Sequence, residues 1–130
     1  GHFYEFIDDE NINTPSKVKR LVFCSVKVYY DLLAYQRENK REDVALVRIE
    51  QLYPLAFTQL DDMLKKYSKA KILWTQEEPS NMGAWWYIRN TLPDVKWNLV
   101  SRSATASPAT GFYKIHDREQ KMIVDQSFNG

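Results

Sequence analysis

Chemistry in a protein needs charged, nucleophilic or metal-binding side chains held together, and this sequence offers few such sets. Arg48 is the sharpest of them. It lies inside an apolar run, Val44, Ala45, Leu46 and Val47 followed by Ile49, where a guanidinium is costly unless it is paired and hydrogen-bonded. Two readings stand side by side. One is an ion pair with Glu50, two residues on and on the same strand face. The other is charge presented to a ligand or a neighbouring subunit. Glu77 and Glu78 suggest paired carboxylates for acid–base work, but adjacent residues of an extended segment point apart. A role in hydrogen bonding near a following helix suits them better. His116 has no His, Cys or Asp at metal-ligand spacing, so it reads as a surface or interface histidine and not as a zinc ligand. Cys24, the one cysteine, sits in an apolar run and reads as a buried, inert thiol. With four glycines in all, the chain has no glycine-rich phosphate loop. These residues give no catalytic, cofactor or metal set.

The elements that carry these residues follow from periodicity. Residues 3–7 form a short β-prone run, and residues 8–17 read as a loop around Pro15. Residues 20–24 predict a buried strand, with Ser25 placed to cap the helix that follows. Val26, Tyr29, Tyr30 and Leu33 recur at helical spacing and predict that helix's inward face. A second strand spans residues 44–49, and Pro54 breaks the chain. Phe57, Leu60, Leu64 and Tyr67 mark a second helix, with Lys65, Lys66 and Lys69 toward its carboxyl end, where the helix dipole favours cations. Residues 71–75 predict a third strand. Asn81 reads as the cap of a third helix bearing Trp85, Trp86 and Ile88. Residues 95–100 predict a fourth strand and residues 101–109 a loop of small residues. Phe112, Ile115, Met122 and Ile123 mark a last helix.

Strands thus alternate with helices. That order calls for a mainly parallel sheet with helices on both faces, and the first short run adds an antiparallel edge. Ligands of such sheets bind beyond the carboxyl ends of the strands. Four segments leave the strands there: Ser25-Val26-Lys27, Glu50-Gln51-Leu52, Gln76-Glu77-Glu78 and Ser101-Arg102-Ser103. Lys27 and Arg102 add positive charge at two of them. Gln51 and Arg102 follow neighbouring elements, and Arg48 approaches the same edge from within its strand.

Composition bounds the rest. The chain has 130 residues, one domain's worth, with 44% hydrophobic and 27% charged residues. A net charge of +1 gives no reason to expect nucleic acid or an anionic membrane as a partner. A single cysteine suits a reducing compartment. Aromatics make up 14%, more amphipathic area than one small core needs. Trp85, Trp86 and Tyr87 are consecutive, and one helix face cannot bury all three, so they predict a docking surface. The absence of an initiating methionine reads as part of a longer polypeptide, with Gly1-His2 as a non-native scar at its start. We divide it into an amino-terminal strand and loop, residues 1–19, and an α/β domain, residues 20–130.

Four blocks of sequence resemble the 2-oxoglutarate dehydrogenase family: residues 21–32 (LVFCSVKVYYDL), 47–54 (VRIEQLYP), 76–85 (QEEPSNMGAW) and 106–111 (ASPATG), with Lys114-Ile115-His116 and Glu119-Gln120 after the last. A relative acting on 2-oxoadipate shares similar blocks. The resemblance implies a three-layer α/β/α sandwich like the carboxyl-terminal domain of transketolase. It implies a parent enzyme that decarboxylates 2-oxoglutarate in the tricarboxylic acid cycle on thiamine diphosphate and magnesium. That enzyme passes succinyl to the lipoyl group of a succinyltransferase component within a multienzyme complex. Cofactor and catalytic groups belong to two preceding domains, so this domain alone is expected to be inactive, an assembly and regulatory element. Expected partners are those domains, the second subunit of a homodimer and the succinyltransferase. The expected location is the bacterial cytoplasm, or the mitochondrial matrix in a eukaryote. Mycobacterial-type members carry an allosteric acetyl-CoA site, whose arginine and glutamine match Arg48 and Gln51 and whose first of two successive arginines matches Arg102. With Lys27 these form the expected acyl-CoA or anion site. Ser103 stands at the second arginine and Val26 where glycine is common, so weak CoA affinity or none is expected. Trp85, Trp86, Tyr87 and His116 form the expected domain or subunit interface. A free-standing anion- or nucleotide-binding α/β module is the alternative.

Overall fold

The computed structural model describes residues 6–50, 57–102 and 112–130, with side chains in the last stretch from 116 onward. Among these residues five strands form one sheet: β1 (Phe6–Ile7), β2 (Arg20–Ser25), β3 (Val44–Ile49), β4 (Lys71–Pro79) and β5 (Asn98–Arg102), in the order β1-β3-β2-β4-β5. β1 runs antiparallel on the edge of β3, and all other pairings are parallel. Among the described residues four α-helices cover it: α1 (Val26–Glu38), α2 (Phe57–Lys66), α3 (Trp85–Thr91) and α4 (Phe112–Asn129).

Strand alternation sorts the core into two layers. Leu21 and Phe23 of β2 and Ala45 and Val47 of β3 pack with Leu60 of α2 and Ile88 of α3. Val22, Cys24, Val44 and Leu46 point the other way and pack with Val28 and Leu32 of α1 and Ile123 and Phe128 of α4. The central strands are therefore apolar on both faces, as parallel strands between helical layers must be. The product is the three-layer α/β/α sandwich expected.

The carboxyl end of α4 is pinned by two arginines. Arg20 donates to the carbonyls of Ser127 (2.9 Å) and Gln126 (3.0 Å), and Arg41 donates to that of Phe128 (3.0 Å). They satisfy the carbonyls a helix end leaves unpaired and place cations where the dipole favours them. Beneath, Ser127 and Thr75 share a buried hydroxyl–hydroxyl bond of 2.8 Å.

Several elements depart from the sequence-based expectation. The inward face of α1 is Val28, Leu32 and Gln36. Tyr29 and Leu33 only flank it, whereas Val26 and Tyr30 are exposed. Ser25 occupies the N-cap position of α1 but makes no capping bond through its side chain. Phe57 of α2 is exposed, while Leu60 and Tyr67 are buried as expected. β4 continues past Thr75 to Pro79. Opposite β5 its register runs Thr75↔Val100 and then Pro79↔Arg102, so a bulge interrupts the ladder at the polar triplet. β5 lies three residues later than expected at its start, and α3 begins at Trp85 after Ala84, which cannot cap through its side chain, and not at Asn81. Met122 is exposed on α4, with Ile123 buried. Pro54, Phe112 and Ile115 lie outside the residues whose side chains are described.

Candidate functional site

The rim at the carboxyl ends of the strands, on the face covered by α1 and α4, gathers charged residues into two groups. Strand parity puts them there. Arg48 follows Val44 and Leu46 on that face of β3, Glu77 follows Leu73 and Thr75 on β4, and Arg102 follows Val100 on β5.

Arg102 is the centre of the larger group. Its side chain is 11% exposed and pairs with Glu119 at 2.7 Å. It also donates to Gln120 Oε1 at 2.9 Å and lies 3.4 Å from His116 Nε2. Gln120 in turn donates to Glu77 (2.9 Å) and Asp31 (2.8 Å). Lys27, with a side chain 76% exposed, closes the group on Glu77 at 3.8 Å. One glutamine therefore ties α4 to β5, β4 and α1. Two cations face three carboxylates here, so the described group is not a cationic pocket. An anion approaching Arg102 must displace Glu119 or Gln120 from it, whereas Lys27 stays open to solvent.

Arg48 forms the second group. Its Nε lies 3.2 Å from Glu50 Oε1, and its guanidinium covers the Tyr29 ring at 5.0 Å. The Nε is buried and makes no hydrogen bond, so its pairing with Glu50 is Coulombic and not a directed N–H···O contact. Cys24, opposite Arg48 in the ladder, is fully buried, and burial pushes its thiol pKa well up, only partly opposed by Arg48. That makes it inert. β3 and β5 are separated by β2 and β4, so Arg48 and Arg102 share a rim and a face without touching. Gln51 and Ser103 lie outside the described residues.

The aromatic trio divides. Trp85 and Tyr87 pack against the core beneath α3, and Trp86 stands 66% exposed. His116 is exposed beside Arg102. Sequence reasoning missed the partners that hold Arg102. Their signal was present, since His116, Glu119 and Gln120 stand at i, i+3 and i+4 and must share one helix face. It also missed Gln76, a buried amide whose neighbours Trp74 and Thr75 read as strand.

Fold and rim together define an α/β/α domain with a mainly parallel sheet whose strand-end charges are spent largely on each other. The chain belongs to the 2-oxoglutarate dehydrogenase C-terminal family, whose model matches residues 1–128. It is similar to the 2-oxoglutarate dehydrogenase E1 component of Cupriavidus necator, 41% identical over 134 residues, covering 98% of this chain and 14% of that protein. The E1 component of Coxiella burnetii is 44% identical over 135 residues, with 98% and 14% covered. The mitochondrial 2-oxoglutarate dehydrogenase of Dictyostelium discoideum is 36% identical over 131 residues, with 93% and 13% covered. The chain thus spans 14% of the length of these two bacterial relatives.

Proposed function

We propose that this chain works as the carboxyl-terminal assembly and regulatory domain of a 2-oxoglutarate dehydrogenase E1 polypeptide. The parent chain oxidatively decarboxylates 2-oxoglutarate and passes succinyl to a lipoyl group. The observation that supports this is the match to E1 components along 98% of the chain. Thiamine diphosphate with magnesium supplies the decarboxylation chemistry of such an enzyme. The described residues of this domain do not fit that group. Among them no three His, Cys, Asp or Glu side chains are gathered to hold a metal ion. The rim carboxylates Glu77 and Glu119 are already engaged by Lys27, Gln120 and Arg102. In this reading the preceding domains of the parent polypeptide hold the cofactor, and this domain's partners are those domains, the second subunit of a homodimer and the lipoyl-bearing succinyltransferase. The parent's compartment is the bacterial cytoplasm or, as in the name of the Dictyostelium relative, the mitochondrion.

Arg48, Gln51, Arg102 and Lys27 are the proposed anion site of this regulatory role. The pairing of Arg102 and Lys27 with acids favours a weak acyl-CoA response over tight binding, since a ligand's phosphate competes with carboxylates already in place. Turnover of 2-oxoglutarate and of 2-oxoadipate, with thiamine diphosphate and magnesium added, tests the reading. The full-length parent is expected to turn over 2-oxoglutarate faster, and the isolated 130-residue chain neither. Clear turnover by the isolated chain, or a parent that prefers 2-oxoadipate, overturns it.

A further inference from the structure

The amino-terminal edge of the sheet, opposite the rim, carries charge left unpaired among the described residues. Lys17 and Lys19 lead into β2, Lys69 and Lys71 into β4, and Lys96 into β5. Register brings these entries together. Arg20 of β2 stands opposite Lys71 of β4, and the Lys71 N–H donates to the Lys19 carbonyl at 2.8 Å. Leu73 pairs with Asn98, which puts Lys71 and Lys96 two residues before the same rung. Neighbouring strands lie about 4.8 Å apart, so the lysines form a row along the edge. All five are exposed, and among the described residues none has an ion pair or a side-chain hydrogen bond. The other charges nearby are engaged. Arg20 holds the end of α4, and Lys66 pairs with Asp8. Asp43 feels Lys19 but is held by Arg41.

An apolar groove of about 530 Å³ opens beside two of these lysines. Leu64 of α2 lines it with Ala70, Ile72 and Val95, and Lys71 and Lys96 stand at its sides. Asp94 is its one acidic lining residue. The four apolar residues are only partly buried by the core, so an apolar side chain laid among them removes more of their surface from water. Groove and charge together select the ligand. A compact phosphate is best held by the planar fork of arginine, whereas the free cations here are all lysines, point charges on flexible stems. Such a row suits several carboxylates spread along a chain. A bare polyanion, nucleic acid included, would leave the apolar groove unused.

We propose that this edge is a docking groove for an acidic polypeptide segment. One apolar side chain of the segment sits among Leu64, Ile72 and Val95, and carboxylates on either side of it are drawn to Lys19, Lys71 and Lys96. Charge complementarity names the occupant, and the groove distinguishes it from other anions. The inference goes beyond the E1 reading and holds whatever the parent chain catalyses. Its site lies at the opposite end of the strands from Arg48 and Arg102, so it is separate from the anion site proposed above.

Fluorescence anisotropy with the full-length parent tests this, the probe being a short labelled peptide with a single Leu flanked by Glu on both sides. The peptide is expected to bind, and more weakly as salt rises. Lys71→Glu combined with Lys96→Glu is expected to weaken it about tenfold or more, because the reversed charges repel the peptide's carboxylates. Lys71→Gln with Lys96→Gln removes the charge without reversing it and is expected to fall between. Melting temperatures that stay unchanged in both variants tie the loss to the site, and a loss that tracks a fall in melting temperature overturns it. So does the absence of binding by the wild-type parent, or equal binding by the charge-reversed one. A peptide with Gly in place of Leu keeps every charge and is expected to bind less well, and equal binding removes the groove from the site. A single-stranded oligonucleotide or phosphatidylserine vesicles bound as tightly as the Leu peptide, and released by the same variants, overturn the choice of partner. Turnover of 2-oxoglutarate by the same preparation separates the two readings. An active parent that ignores the peptide sinks this inference alone, and an inactive parent that binds it sinks the E1 reading alone.

Discussion

Arg41 and Asp43 show how a short-range pair becomes a pH-dependent one. Arg41 meets both oxygens of Asp43, at 2.8 and 3.1 Å, and stretches on to the Phe128 carbonyl and Asn129. The hydrogen bond from Arg41 holds the Asp43 pKa below its usual value, although partial burial pulls the other way. A carboxyl depressed in the folded state contributes stability that is complete above its unfolded value, about 3.9, and is lost as pH falls through the lower folded value. Asp43→Asn should therefore lower the urea midpoint at neutral pH, and the gap from the wild-type chain should narrow as pH falls below the unfolded carboxyl value of about 3.9. Two chains that differ equally at both pH values would show that the pair contributes through packing and not through charge. Arg48 and Arg102 handle their charge in other ways, the first by a ring and one nearby acid, the second by a set of acceptors on α4. Both residues were singled out from sequence, Arg48 because a guanidinium inside an apolar strand is conspicuous and Arg102 because it leaves a strand at the rim and matches a family arginine. Their partners lie up to 19 residues away along the chain for Arg48, at Tyr29, and 18 for Arg102, at Gln120. Glu50, two residues from Arg48, is legible from the strand face they share, but no local pattern links Arg48 to Tyr29 or Arg102 to Gln120.

Among the elements, β3 was the easiest to predict and α1 the hardest to orient. β3 is apolar on both faces and bounded by polar residues, so its limits coincide with the observed Val44–Ile49. α1 carries apolar residues on more than half its circumference: Val26, Val28, Tyr29, Tyr30, Leu32, Leu33 and Tyr35. Periodicity then admits more than one phase, and packing against β2, β3 and α4 chose Val28 and Leu32. Leu32→Ala should cost about 2–5 kcal/mol and Tyr30→Ala within about 0.5 kcal/mol in urea melts. The reverse order would restore the face that the spacing of Tyr29, Tyr30 and Leu33 suggests. β4 outran its prediction for a different reason. Gln76 and Glu77 look like the end of a strand, but every polar atom of the Gln76 amide finds a partner inside the fold. A satisfied amide can be buried where an unsatisfied one cannot.

At the scale of the whole molecule, the rim is a clasp before it is a binding site. Arg102, Gln120, Glu77, Asp31 and Lys27 join α4, β5, β4 and α1. Arg102→Ala would leave Glu119 half-buried without its cation, a change that should cost about 1–3 kcal/mol. The expected result is a lower melting temperature with no ligand present and little further change on adding acetyl-CoA. An unchanged melting temperature together with a lost acetyl-CoA response would assign Arg102 to ligand binding instead of the clasp.

The alternation of apolar runs and helical periods was enough to specify a mainly parallel sheet between two helical layers, because burial on both faces leaves a strand no other arrangement. Sequence blocks likewise placed the chain in its family. Tertiary structure alone decided which side of α1 turns inward, how far β4 extends, and which acids hold Arg102. Each of these depends on groups brought together from distant parts of the chain. A hydrogen bond or ion pair is set by distances of about 3 Å, which sequence spacing fixes only within a single helix or strand.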